Sequence, residues 1–455
     1  MYKKFLAAAL AVTMVLGLAG CGGSGGSTQA ASSQEKESSA APAGSTGEST
    51  TAQAEGADAP AVIKVGFLTP LSGNNATYGA QCKAAGQMIA DVINEEHPEM
   101  AMALAKTAGI PALNGAKIEL VFADSKGDPT TATSEAKRLI TEEGIVALTG
   151  QYTSAITKAV AVVTETYGIP LLTAGSSPSL TTPETGLEWY FRFGPNDTYY
   201  IRDSFEFIKQ LNEEQDAGLM TVALVSEDTE FGANIRIEEE RMAEEYGIEV
   251  VENITYSSSA TNVSSEVMKI KAANPDVIMM SSYASDAILY LKTFKEQNYV
   301  PKMLLGQRGG FVQTDFLDAM GKDTEFIYTT GGRSADIDTD TSKQLIELYK
   351  QYTPDGADLS EGHCKDMINV LLIALGINQA GTTEPEALNE ALRNLEVDTS
   401  TLPIPWNAIT MDEYGQNTSA NAFVLQMRDG KYQTVYPSDY AAIEPVLPMP
   451  AWNER

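Results

Sequence analysis

Strand-like and helix-like segments alternate along most of this chain. Residues 63–68 form a short apolar run typical of a buried strand, and residues 79–94 carry apolar or small side chains at helical spacing. The alternation continues through residues 118–173 and again through 221–306. This pattern predicts an α/β protein with mostly parallel sheets flanked by helices, and its two successive runs favour two lobes over one large sheet.

The composition narrows the possible partners and cofactors. There are 61 Asp and Glu against 31 Lys and Arg, which gives a formal net charge of −30. Such a surface repels phosphate, and no basic cluster interrupts it, so nucleic acid is not an expected partner. Two His and three Cys provide little material for a zinc site or a disulfide framework. No metal and no other cofactor is predicted.

The first twenty residues read as an export signal. Lys3 and Lys4 precede the apolar run 5–18, which is too short to span a bilayer. The run ends in Leu-Ala-Gly followed by Cys21, which looks like the lipobox of bacterial lipoproteins. The alternative is a plain secretory signal with a coincidental cysteine. We predict a signal peptide at 1–20 and lipidation of Cys21.

Residues 22–60 contain no Ile, Leu, Val, Met or aromatic residue. A segment of this composition cannot bury enough apolar surface to offset the entropy of ordering it. Residues 21–60 are therefore predicted to be a lipid anchor and a disordered linker. They would hold a folded body close to the extracellular face of the cell membrane.

Polar loops follow three predicted strands in the first run, at residues 69–73, 150–154 and 174–178. Ligands of parallel sheets bind beyond the carboxyl ends of the strands, where free N–H groups at helix starts can hold a carboxylate. Capping and turn chemistry explains any one loop alone. Three such loops with Tyr78 and Tyr152 nearby indicate a ligand cleft.

At these residues the chain resembles the bacterial extracellular solute-binding proteins of the branched-chain amino-acid (Leu/Ile/Val) type, which serve ABC importers. The resemblance runs from residue 63 to about 430, and its ordered series is specific although no single segment is. The segments that carry it lie at 65–79, 123–129, 148–154, 168–170, 190–192, 230–232 and 274–278.

The resemblance implies a two-lobed type I periplasmic-binding-protein fold that closes on a small molecule. The chain would cross between lobes near residues 191–193, 328–331 and 417–420. The lobes implied are an N-terminal lobe of residues 61–192 plus 332–418 and a C-terminal lobe of residues 193–331 plus 419–455.

Ligand contacts follow position by position from the resemblance. Ser154, Ala174 and Ser176 would hold the carboxylate and ammonium of an amino acid, and Tyr283 would contact the ammonium end. The full set of predicted ligand-binding residues is Tyr78, Tyr152, Ser154, Ala174, Ser176, Phe231, Tyr283 and Arg308.

Arg308 departs from the family pattern, because amino-acid binders of this type have a carboxylate after the corresponding strand. A guanidinium repels an ammonium ion, so the ligand would carry an anionic or carbonyl group there or would not be an α-amino acid. The alternative is an alignment shift that directs Arg308 to solvent or to a salt bridge with Asp286 or Asp315. The acidic residues at 227–230, together with Asp286, could still serve an ammonium.

Three further features have simple interpretations. Residues 95–116 are longer than the usual family connection and are predicted to form an extra helix at the rim. Asp336, Asp338, Asp340 and Glu347 match a calcium loop only in part, and capping of a helix that starts near 341 explains them better. Cys82 and Cys364 could pair outside the cell, but the sequence does not give their separation.

The expected function is that of a monomeric extracellular substrate-binding lipoprotein of an ABC importer. It would bind an amino acid or related small carboxylate between its lobes and deliver it to the permease subunits. A ligand-sensing lipoprotein that signals to a membrane receptor is the alternative. An enzyme is a distant third, because no Gly-x-Ser-x-Gly, His-Glu-x-x-His or Gly-Lys-Ser/Thr motif is present.

Overall fold

The computed structural model describes residues 61–455, apart from 176, 335, 337–338, 354–358, 360, 405 and 407, and it leaves the side chains of 178 and 361 undescribed. The predicted signal peptide 1–20, the lipidation site Cys21, the linker 21–60 and the predicted contact Ser176 lie outside the described residues. None of the helices within the described ranges combines the length and apolar character needed to cross a bilayer.

The first third of the described chain builds a five-stranded sheet. Its strands run in the order β2-β1-β3-β4-β5, and every pair in it is parallel. The elements in chain order are β1 (Val62–Thr69), α1 (Ala76–Asn94), β2 (Lys117–Asp124), α2 (Pro129–Arg138), β3 (Leu148–Thr149), α3 (Ser154–Tyr167), β4 (Leu171–Leu172) and β5 (Tyr190–Phe191).

The following residues build a second sheet of seven strands in the order β12-β11-β10-β9-β8-β6-β7. Its pairs are parallel from β7 to β10 and antiparallel at β11 and β12. The elements are α4 (Asp197–Gln215), β6 (Thr221–Glu227), α5 (Glu230–Tyr246), β7 (Glu249–Tyr256), α6 (Ser264–Ala273), β8 (Val277–Ser281), α7 (Ala284–Glu296), β9 (Met303–Gly306), α8 (Thr314–Met320), β10 (Tyr328–Gly331), α9 (Asp340–Tyr349), α10 (Glu361–Ala380), α11 (Pro385–Arg393), β11 (Phe423–Arg428) and β12 (Lys431–Tyr436).

Several helices begin where the sequence provides a side-chain cap. The Asp128 side chain accepts the Thr131 N–H at the start of α2, with Pro129 as the first helical residue, and the Thr153 side chain accepts the Ile156 N–H at the start of α3. After Arg138, α2 leaves α geometry and ends in a wider turn, Leu139–Glu143.

Each sheet has its own apolar core. The core around β1 combines α1 with α9 to α11, so residues that lie between β10 and β11 in the chain return to cover the first sheet. The seven-stranded sheet buries one set of side chains against α6 to α8 and another against α4 and α5. The segment at Arg192 runs beside residues 415–417: the Asn417 N–H donates to the Arg192 carbonyl at 2.9 Å. The lobe boundaries given above remain a prediction.

The prediction of an extra helix in residues 95–116 is wrong. The segment contains one short 3-10 turn, Pro111–Leu113, and left-handed backbone at Leu104 (φ 63°) and Gly109 (φ 74°) breaks any longer helix. Its apolar side chains, among them Met102 and Ile110, are buried in the first core. Their spacing therefore reflects a folded loop.

In the acidic segment before α9, the described side chains accept hydrogen bonds from backbone N–H groups. Thr339 is the residue that caps α9, and its side chain accepts the Ser342 N–H, whereas the Asp336 carboxylate accepts the Thr434 N–H at 2.7 Å. Asp338 lies outside the described residues. Within the described part of the chain, no three His, Cys, Asp or Glu side chains converge as a metal site. Cys82 and Cys364 are both buried, and no disulfide joins them.

Candidate ligand-binding site

A small cavity of about 60 Å³, partly open to solvent, lies where elements of the two sheets meet. Seven of the eight predicted ligand-binding residues line it, and the eighth, Ser176, lies outside the described residues. The complete lining is Tyr78, Tyr152, Ser154, Ala174, Gly175, Phe231, Tyr283, Arg308, Gly309, Val312, Gly362 and Lys365.

The start of α3 forms one wall. Ser154 is the first residue of this helix and is buried, and its neighbours in the wall are Ala174 and Gly175, directly after β4. The first N–H groups of a helix have no partner within it and form its positive end. This wall therefore presents donors and partial positive charge to a carboxylate.

Arg192 fixes the shape of that wall. Its buried guanidinium donates to the Gly175 carbonyl at 2.7 Å, the Tyr190 hydroxyl at 2.7 Å and the Gln416 side chain at 3.0 Å. These bonds connect residues 175 and 416 to the end of β5. They therefore fix the loop after β4 on the side that faces away from the cavity. Arg192 acts on the site through backbone position and does not line the cavity.

A row of four aromatic rings lines the cavity and extends from the first lobe to the second. Ring centroids are 4.0 Å apart for Tyr78 and Tyr152, 5.7 Å for Tyr152 and Tyr283, and 5.6 Å for Tyr283 and Phe231. Burial raises the pKa of Tyr78, Tyr152 and Tyr283 above the ordinary value of a phenol, so all three are neutral at physiological pH. The row offers flat apolar surface for a ligand body.

Arg308 lies in this cavity wall just after β9. Its guanidinium pairs with the Asp197 carboxylate at the start of α4, rather than with Asp286 or Asp315, and stands 4.1 Å from the Tyr200 ring centroid. The solvent-facing alternative is wrong, because the Arg308 residue is 5% exposed. Its φ of 50° is strained for a residue other than glycine, a feature that often marks functional positions.

Lys365 is a lining residue that the sequence interpretation missed. It lies on α10, and its ammonium is 4.9 Å from the centroid of the same Tyr200 ring. A signal was present: Lys365 and Asp366 are the only Asp, Glu, Lys or Arg residues in the stretch 362–380, which is rich in apolar residues. A charged pair inside a buried helix indicates a functional or paired position.

Contacts join the two sets of elements around the cavity. Thr314 on α8 donates to the Gln81 side chain on α1 at 2.9 Å, and Lys158 on α3 pairs with Glu230 on α5 at 2.8 Å. The Gln313 amide also donates to the Tyr152 hydroxyl.

Two α/β lobes with a small cavity between them define a two-lobed solute-binding protein. Residues 62–431 match the family model described as periplasmic binding protein. The chain belongs to this family, and its similarity to Leu/Ile/Val-binding proteins agrees with the resemblance. The predicted type I fold is confirmed as well.

Relatives cover nearly the whole described chain. Leu/Ile/Val-binding protein homolog 7 of Brucella abortus is 27% identical over 407 residues, which is 87% of this chain and 97% of that protein. Homolog 8 of the same organism is 28% identical over 385 residues, 83% and 91% of the two chains.

Two solved structures share the fold. One is the branched-chain amino acid transporter substrate-binding protein LivJ of Streptococcus pneumoniae in complex with isoleucine, with a TM-score of 0.69 and 22% identity over 83% of this chain and 100% of that one. The other is an ABC transporter solute-binding protein of R. palustris in complex with benzoate, with a TM-score of 0.68 and 17% identity over 84% and 99%.

Proposed function

We propose that the chain is the extracellular substrate-binding lipoprotein of an ABC importer and binds an amino acid or related small carboxylate between its lobes. The observation that carries the proposal is the convergence of seven predicted contact residues, from segments far apart in sequence, on one cavity. The start of α3 beside Ser154 suits a carboxylate, and the aromatic row suits an apolar body. A small carboxylate as the ligand agrees with the names of the relatives. It also agrees with the isoleucine and benzoate bound in two similar solved structures.

Lobe closure is the mechanism that this arrangement supports. The ligand first contacts the wall of Ser154 and Ala174, and Tyr283 and Arg308 of the other lobe complete the site when the lobes meet. Binding free energy gained only in the closed form shifts the population towards it, and the permease subunits recognise that form.

Thermal unfolding of the purified mature chain tests this proposal. A screen of amino acids, dipeptides, aromatic acids and dicarboxylates should give at least one ligand that stabilises the folded state, by about 2.7 kcal/mol at a hundred times its Kd. Small-angle scattering should then show a smaller radius of gyration with saturating ligand. Ser154→Ala should weaken binding, whereas Ser134→Ala, on the exposed face of α2, should not. Stabilisation without compaction would refute closure.

The membrane tether belongs to the same proposal. Lipidated Cys21 would anchor the chain, and residues 22–60, as a flexible coil, would have a reach of roughly 35 Å. Expression of Cys21→Ala in a Gram-positive host should move the protein from the membrane fraction to the medium. Retention of the variant in the membrane fraction would contradict the lipid anchor.

A further inference from the structure

Two cations from different parts of the chain face the same cavity. Arg308 follows β9 in the seven-stranded sheet, and Lys365 lies on α10, which packs against α1 in the first core. The guanidinium carbon and the ammonium nitrogen lie 4.1 and 4.9 Å from one ring centroid, that of Tyr200. Both distances are measured to the same centroid, so the two charged atoms are at most 9.0 Å apart, and they approach the cavity from opposite lobes.

No carboxylate lines this cavity among the described residues. Asp197, the partner of Arg308, is fully buried at the start of α4 and is not part of the lining, so the pair directs its positive end to the cavity. The positive end of α3 lies at the Ser154 wall. Every charge that the described lining presents is positive.

The loop that holds Arg308 is built to keep it there. The Phe311 N–H donates to the Arg308 carbonyl at 2.8 Å, and the Gly310 N–H donates to the Ser282 carbonyl at 2.8 Å. A Cβ at Gly310 would lie 2.2 Å from the backbone carbon of Tyr283, so only glycine fits at that position. These contacts hold the strained backbone conformation of Arg308, and in that conformation its side chain lines the cavity.

From this geometry we infer that the site selects a dianion with two neighbouring carboxylates and an aromatic or branched apolar body, in preference to a zwitterionic amino acid. The inference rests on the proposed function. One carboxylate binds the α3 start, and the second lies between Arg308 and Lys365, where an α-ammonium would be repelled. Because the two cations belong to opposite lobes, an anion between them also offsets the repulsion that opposes closure.

A matched ligand series isolates the charge at one carbon atom. 3-Phenylpropionate, L-phenylalanine and benzylmalonate share one skeleton and carry hydrogen, ammonium or carboxylate at the α-carbon, and 4-methylpentanoate, L-leucine and isobutylmalonate repeat the series with a branched body. Calorimetry on the mature wild-type chain should show that a malonate binds at least about tenfold tighter than its amino acid.

Charge-removing variants identify the residues responsible. Lys365→Gln and Arg308→Gln should each reduce malonate affinity by about tenfold or more and change monocarboxylate affinity much less, because each loses a charge-assisted bond to the second carboxylate. Lys209→Gln, which removes an exposed charge on α4, is the matched control and should leave both affinities unchanged. Circular dichroism verifies that each variant is folded, and the wild-type series tests the inference without any variant.

The outcomes separate this inference from the proposed function. If no small carboxylate of any class binds, the proposed function fails and this inference fails with it. If an amino acid binds as tightly as its malonate, or another carboxylate binds and neither malonate does, the proposed function stands and the dianion inference is overturned. Equal losses for malonate and monocarboxylate in Lys365→Gln overturn the role given to Lys365.

Discussion

Gln307, the residue next to Arg308, connects a group of buried polar side chains behind the cavity wall. Gln307 donates from its amide to the Glu239 carboxylate at 3.0 Å and accepts from the Thr330 hydroxyl at 3.3 Å. Glu239 is fully buried on α5, and burial raises its pKa to about 8. Its second carboxylate oxygen has no hydrogen-bond partner among the described residues. A protonated Glu239 fits this environment at neutral pH.

Glu239→Gln should flatten the pH dependence of stability. The folded protein keeps the Glu239 proton until about pH 8, whereas the unfolded chain releases it near 4.5, so stability falls as pH rises between these values. The slope from this residue is at most about 1.4 kcal/mol per pH unit. Urea denaturation at pH 5, 6, 7 and 8 should show a smaller decline in the variant.

The exposed neighbour provides the control for that experiment. Glu240→Gln removes a carboxylate of the same helix that pairs with Arg236 at the surface, and it should leave the slope within a few tenths of a kcal/mol of wild type. Parallel curves for wild type and Glu239→Gln would show that Glu239 is ionised throughout this range.

Site residues close to a strand or helix start could be predicted from the sequence, and those without such a landmark could not. Tyr78 and Ser154 lie at or near loops that follow strands, and the family resemblance assigned both to the ligand. Lys365 lies in the middle of a long helix, where periodicity predicts only a buried face. The partner of Arg308 was mispredicted because Asp197 is 111 residues away, and pairing over that distance is decided by the fold.

Among the elements, the regular strands and helices follow the periodicity of the sequence, and the inserted segment 95–116 does not. The alternation predicted through residues 118–173 and 221–306 is observed, and it includes α3 and α6. In the insertion, backbone bonds bind the segment to distant parts of the first lobe, such as the Ala101 N–H to the Gln344 side chain at 3.0 Å. Apolar spacing alone cannot distinguish a packed loop of this kind from a helix.

If the insertion is part of the first core, Met102→Ala should lower the stability of the folded protein. Met102 is 1% exposed and packs within the core around β1, so truncation leaves a cavity and should lower the free energy of unfolding by about 2–5 kcal/mol. Met268→Ala is the matched control: Met268 is 57% exposed, and its removal should cost less than about 0.5 kcal/mol. Equal small losses in urea denaturation would assign the insertion to the surface.

For the whole molecule, the two lobes enclose the cavity from opposite sides, and contacts outside the cavity stabilise that arrangement. The net charge of −30 belongs largely to exposed helix faces such as those of α5, where Arg241 pairs with Glu238 and Glu245. Such charges favour solubility and contribute little to the fold. The cationic cavity inside an acidic body is therefore a local feature that the total charge conceals.

Thr314→Val should weaken ligand binding without touching the cavity. The variant keeps the shape of threonine and loses the hydrogen bond from α8 to Gln81 on α1, which the proposed opening of the lobes would break. A bond of this kind contributes about 0.5–1.5 kcal/mol, so affinity for the ligand found in the screen should fall by about two- to tenfold, mainly through faster dissociation. Thr166→Val, which removes a hydroxyl bonded within α3 on the exposed surface, should leave binding kinetics unchanged. Equal dissociation rates for both variants in stopped-flow experiments would mean that the lobes do not depend on this contact to stay closed.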